Sequence, residues 1–167
     1  MLKLLKTAVK CAFLGFAAGL FLKLFAVDIL TVSGKSMLPT LRDGQTIAVS
    51  KLAYGPVKPF GDSVFFNWNK PKVNDIITYL HDGNLVVKRC AAVSGNTLEF
   101  SLNSGYNLIV GSKKYPLSEN QYHLLCRTDR VPEGTVLALG DNPAQSVDSR
   151  AYGFVPEKNV IGRVIIK

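Results

Sequence analysis

Three short stretches of this chain hold more hydroxyl, ionisable and glycine residues than turns alone require. They are SGKSMLPTLRDG at 33–44, the pair Lys88-Arg89, and GDNPAQSVDSRAYGFVP at 140–156. The chemistry open to them is nucleophilic. A serine hydroxyl attacks a carbonyl well only when a neighbouring base takes its proton. Histidine is the usual base, but His81 and His123 lie outside all three stretches, so a Ser-His-Asp triad fits poorly. A lysine serves in the known variant of that logic, provided its amine is neutral. An exposed lysine, with a pKa of ~10.4, is almost wholly protonated at neutral pH, so water must be excluded from it. Lys88 has that setting: Leu85-Val86-Val87 precede it and Cys90-Ala91-Ala92-Val93 follow Arg89. Arg89, next along a strand, faces the opposite way and need not share the site. Taken singly, each residue also has an ordinary structural use. Ser36 can cap a turn, Lys88 can end a surface strand, and Asp148 with Arg150 can form a surface ion pair.

The elements that must position these residues are short strands. After Val32, QTIAVSKL (45–52), SVFFNW (63–68), DIITYL (75–80), NLVVKRCAAV (84–93), TLEFSL (97–102), YNLIV (106–110), TVLALG (135–140) and NVIGRVIIK (159–167) are rich in β-branched or aromatic residues. Gly, Pro, Asn or Asp bounds each of them. The expected body, residues 33–167, is all-β: antiparallel sheets forming a sandwich or open barrel. Residues 103–130 form an excursion, a hairpin or flap. Phe65, Phe66 and Trp68 are either β core or apolar residues resting against a bilayer.

The chain has 167 residues, 20 basic and 12 acidic, for a net charge of +8. Half of that excess sits in residues 1–35, which carry five lysines against Asp28 alone. A nucleic-acid binder concentrates charge on its folded domain; here the densest basic stretch precedes an apolar run, which points to a membrane. Residues 1–10 read as a short cytoplasmic segment and 11–32 as a transmembrane anchor. A helix of that length spans ~33 Å, enough for a bilayer core of ~30 Å. Lys3, Lys6 and Lys10 then hold the N-terminus in the cytoplasm and leave the body outside. A cleaved secretory leader is the rival, but the small-x-small site it needs is poorly placed. Cys11, Cys90 and Cys126 fit neither a zinc cluster nor a disulfide scaffold. No phosphate loop, nucleotide fingerprint or metal-ligand cluster occurs, so no cofactor, metal or nucleic acid is expected.

In this order, the stretches resemble the type I signal peptidases of bacteria, membrane-bound serine proteases that remove signal peptides from exported proteins. SGKSMLPT at 33–40, KLAYG at 51–55, Lys88-Arg89 and the 140–156 box carry the resemblance. It implies that Ser36 is the nucleophile and Lys88 the general base, with the Ser146 hydroxyl orienting the amine. Asp148 and Arg150 would be an ion pair holding the loop against the site, Asp141 and Asn142 would shape the turn, and Met37 and Pro39 would fix the backbone. Substrates would be preproteins with small residues at −1 and −3. Two features depart from the family pattern. Gly34 stands where many relatives place an oxyanion-binding hydroxyl, and CAAVSGN (90–96) replaces the usual xxGxPGD. The alternatives are a mitochondrial-type or specialised pilin or conjugation peptidase, and an anchored binding protein whose active site has decayed. A self-cleaving DNA-bound repressor would need a helix-turn-helix domain before residue 33, where there is no room for one.

Overall fold

A computed structural model of the chain describes residues 2–58 and 63–166; the side chains of 2–5, 18 and 20–25 lie outside it. The expectations for the side chains of Lys3 and Lys23, and for Lys167 at the last strand's end, therefore fall outside the described residues. Helix α1 runs Leu2–Phe25, with its described side chains exposed, Phe13, Leu14 and Phe16 among them. The expected 11–32 helix is corrected at both ends. The helix takes in the basic segment and stops at Phe25, and Val27–Thr31 is instead strand β1. The apolar LFAV at 24–27 hides this boundary, because periodicity alone cannot separate a buried helix from a strand. Asp28 accepts a hydrogen bond from the Ile29 N–H in that strand and sits 3.9 Å from Lys51 Nζ. Among the described residues, no helix is long and apolar enough to cross a membrane.

The body is built of antiparallel strands, as the alternation suggests. β2 (Thr46–Ser50), β3 (Ile76–His81) and β4 (Asn84–Val93) follow, then β5 (Glu99–Ser101), β6 (Asn107–Val110) and β7 (Lys113–Pro116). After helix α2 (Glu119–Leu125) come β8 (Thr135–Leu139), helix α3 (Ser149–Tyr152), β9 (Val155–Pro156) and β10 (Val160–Ile166). One sheet has seven strands in the order β1-β2-β10-β3-β4-β8-β9, and a second is β5-β6-β7. Every pairing is antiparallel. The 103–130 excursion contains the β6–β7 hairpin and also α2, a helix that strand-period reading misses. Its signal is present at Ser118 and Gln121, which cap each other's backbone N–H reciprocally. The expected strand at 63–68 is absent; Val64 makes only an isolated bridge to Val57, and Phe65, Phe66 and Trp68 are exposed. Cys11, Cys90 and Cys126 are all unpaired.

Two features of this frame bear on the site. Val32, Met37, Leu41, Ile47, Val49 and Ile76 form one core cluster, so the 33–44 turn is pinned by buried side chains on both sides of Ser36. The first half of β4, Asn84–Lys88, pairs only with β3, because β8 joins it from Arg89 onward. β1 pairs only with β2. Two strand edges thus stand unpaired near residues 33–36.

Candidate active site

Lys88 projects from β4 with 5% of its surface exposed. Its Nζ donates to Ser36 Oγ at 3.0 Å and to the Val87 carbonyl at 3.2 Å. Burial pulls the Lys88 pKa below its usual 10.5, opposed in part by the negative charge of Asp148. Burial outweighs attraction here, because an ammonium loses its hydration whatever its neighbour's sign. Ser36 is fixed by its own backbone: its carbonyl accepts from the Asn142 N–H at 2.9 Å, and the Asn142 side chain donates to the Lys35 carbonyl. The first and third polar stretches therefore meet at the serine.

The third stretch is held from within. The Asp148 carboxylate is fully buried and accepts from the Gly140 N–H at 2.9 Å, the Arg150 N–H, and Arg150 Nε and Nη2, both at 2.9 Å. Burial alone would raise its pKa, but Arg150 and the Gly140 amide hold it below the ordinary carboxylate value. Arg150 also donates to the carbonyls of Pro143, Ser146 and Pro116, the last in β7. It ties the excursion to the site loop. Ser146 Oγ is buried beside this network and, among the described residues, has no hydrogen-bond partner. The Lys88 amine bonds Ser36 and Val87, not Ser146.

Arg89 is the residue whose part the sequence underrates. It does face away from Lys88, yet its guanidinium grips Asp141 bidentately, at 2.7 and 2.6 Å, and donates to Thr40 Oγ1 at 3.2 Å and to the Asn74 carbonyl. One arginine thus clamps the turn that carries Ser36 and the 140–156 loop onto β4. The sequence holds only a weak signal for this: an arginine beside the buried lysine, with Asp141 given no partner.

A cleft of about 260 Å³ opens at Ser36 and Lys88, walled by Leu30, Val32, Met37, Leu85 and Val86. It lies between the unpaired edges of β1 and β4. Among the described residues no group of three metal-ligating side chains occurs. A buried amine with a lowered pKa, in contact with a serine hydroxyl, suits acyl transfer to that hydroxyl, with the amine as proton acceptor.

Asp148→Asn leaves Arg150 buried without its counter-charge and lowers unfolding free energy by about 3–5 kcal/mol at neutral pH. Since the folded pKa of Asp148 lies below its unfolded 3.8, its stabilisation is present above that value and lost as pH falls through the folded one. Denaturant unfolding across pH checks this: the gap between wild type and variant narrows in strong acid.

The family profile described as signal peptidase, peptidase S26, matches residues 5–167. A probable signal peptidase I-1 of Synechocystis is 34% identical over 152 residues, covering 89% of this chain and 74% of that protein. A signal peptidase I of Bacillus caldolyticus is 33% identical over 151 residues, covering 86% and 80%. A crystal structure of a signal peptidase I from Enterococcus faecalis is 28% identical and superposes over 58% of this chain and 98% of that one, with a TM-score of 0.44, a likeness too loose to bear on the fold. By the profile and by these relatives, the chain belongs to the signal peptidase family, peptidase S26.

Proposed function

We propose that this protein is a type I signal peptidase that cuts preproteins through a Ser36–Lys88 dyad. The observation that carries the reading is the dry amine 3.0 Å from the hydroxyl, at the floor of a cleft between two unpaired strand edges. Lys88, neutral, takes the Ser36 proton as Oγ attacks the scissile carbonyl. The resulting ammonium returns that proton to the departing amine, and water then resolves the acyl-serine by the same route. The Ser36 N–H is the donor nearest the developing oxyanion, since Gly34 offers no hydroxyl there. Ser146, whose buried hydroxyl has no partner among the described residues, becomes a partner for Lys88 once Ser36 gives up its proton.

The substrate enters as an extended strand bonded to the edges of β1 and β4. Residues two apart on a strand face the same way, so −1 and −3 both point into the small apolar cleft and must be small. Anchorage by α1, with Lys6 and Lys10 on the cytoplasmic side, would leave residues 33–167 outside the cell and hold enzyme and membrane-bound substrate on one surface. The 24 residues of α1 reach ~36 Å at ~1.5 Å each, and its exposed Phe13, Leu14 and Phe16 need an apolar environment. A binding protein with a decayed site has no use for a buried lysine of lowered pKa in contact with a serine.

Ser36→Ala and Lys88→Met are each expected to reduce cleavage of a preprotein at least ~1,000-fold, read by mass mapping of the products. Wild-type rate rises with pH through the lowered Lys88 pKa and levels off below 10.5. Because the unfolded chain binds this proton more tightly than the folded one, Lys88 destabilises the fold most at low pH, and the penalty fades as pH rises towards 10.5. Lys88→Met therefore raises Tm at neutral pH while abolishing turnover. Retained cleavage in both variants would sink the dyad.

Gly140 supplies a second check. A methyl group there would stand 2.7 Å from the Ser36 carbonyl oxygen and 2.5 Å from Ser146 Cβ. Gly140→Ala must push the serine turn off the loop, and misplacement of about 1 Å costs ~100-fold in rate. Cleavage kinetics measure this, with far-UV circular dichroism showing the fold retained.

A further inference from the structure

Lys88 lies in an apolar enclosure that the sheet by itself leaves open. Alternation along β4 puts Val86 and Cys90 on its face, one before it and one after. Strand pairing sets Ile77 of β3 directly opposite Lys88, and Tyr79 opposite Val86. Ile77, Tyr79 and Cys90 are buried and form one core cluster with Ala138 of β8, against which Val86 packs. Tyr152 is the member that α3 contributes to that cluster.

Helix α3 straddles the strand that carries the lysine, since β4 lies between β3 and β8. Its first turn is tied on the β8 side. The Ala138 N–H donates to Ser149 Oγ at 2.9 Å, and the Gly140 N–H donates to Asp148, the residue that caps the helix. Its last residue reaches β3 on the other side, where the hydroxyls of Tyr152 and Tyr79 share a hydrogen bond at 2.5 Å. His81, two residues further along β3, stacks on the Tyr152 ring with centroids 3.8 Å apart. Four residues make no stable helix of their own, so these ties decide where α3 sits. The Tyr79 hydroxyl is buried and needs a partner, which selects one seat for the Tyr152 ring.

We propose that Tyr152 is a positioning residue for the reaction: its bond to Tyr79 docks α3 across β4 and closes the enclosure of Lys88 against water. This rests on the Ser36–Lys88 reading above, and Tyr152 acts through the enclosure without touching substrate. The ionisable groups packed around the lysine leave its titration legible. Burial pushes the Cys90 thiol and the Tyr152 phenol up to about 12 and raises the Tyr79 phenol as well. Burial would raise Asp148 too, but Arg150 holds it below the ordinary carboxylate range. None of these four changes charge between neutral pH and 10.5. His81 lies beyond Tyr152, 3.5 Å from Asp82.

The test follows kcat/KM against pH for the full chain in detergent, with a short soluble peptide as substrate. Tyr152→Ala is expected to raise the midpoint by about one unit, because water returns part of what burial took from the lysine. Cleavage at neutral pH then falls about tenfold, while KM and the alkaline plateau hold. Tyr152→Phe keeps the ring but strands the buried Tyr79 hydroxyl, so the midpoint moves the same way by less. Adding Tyr79→Phe removes the stranded group and recovers most of that loss. A lowered plateau with an unmoved midpoint in Tyr152→Ala shows a merely structural role and overturns the proposal. If that variant does not fold, Tyr152→Phe decides, and a midpoint identical to wild type overturns it. In a His81→Phe background the Tyr152→Ala shift persists; its disappearance would assign the shift to the histidine and overturn the proposal as well. A wild-type rate indifferent to pH sinks the dyad and this role with it, whereas a wild-type rise with unmoved variants sinks this role alone.

Discussion

An amine that must be dry and a hydroxyl that must touch it set the terms for everything around them. Burial pulls the Lys88 pKa down, because leaving water is expensive for any cation. The surroundings make the state tenable through packing rather than through a compensating charge. The one nearby carboxylate, Asp148, works against neutrality by attracting the proton. Arg150 binds the same carboxylate with its backbone N–H, Nε and Nη2. The ion pair therefore does two things. It fixes the loop that carries Ser146, and it holds the Asp148 carboxyl below the ordinary carboxylate range.

Two cations adjacent in sequence meet opposite fates for the same geometric reason. Alternation along β4 sends Lys88 into the cleft and Arg89 to the other face. There the guanidinium is only partly buried and paired with Asp141, while bonding Thr40 as well. The 33–44 turn and the 140–156 loop are far apart in the chain, and a single strand brings both to one place. The proposed dyad and its clamp are neighbours on one backbone, so any slip in the register of β4 would exchange them.

Much of this was legible beforehand and some was not. Ser36, Lys88, Asp148 and Arg150 stood out because their chemistry is concentrated in short polar stretches between apolar strands, and the antiparallel body followed from alternation. Arg89 was underrated because its partners come from three separate segments, and no local pattern announces a contact made only by folding. The boundary at Ala26 was hidden because helix and strand are equally apolar there, and strand pairing with β2 decides it. α2 escaped because seven residues give too little periodicity, although its capping residues were in plain view. Phe65, Phe66 and Trp68 look like core by composition; only the backbone bonds that turn them outward separate them from it.

The central claim is most directly tested by titrating the Lys88 amine itself. With lysine labelled at Cε in the full-length protein, and Lys88→Met used to assign the resonance, its shift is followed against pH. The account expects a midpoint well below 10.5, the usual value for a lysine. A midpoint at or above that value would mean that the amine stays charged at working pH and cannot take the serine's proton.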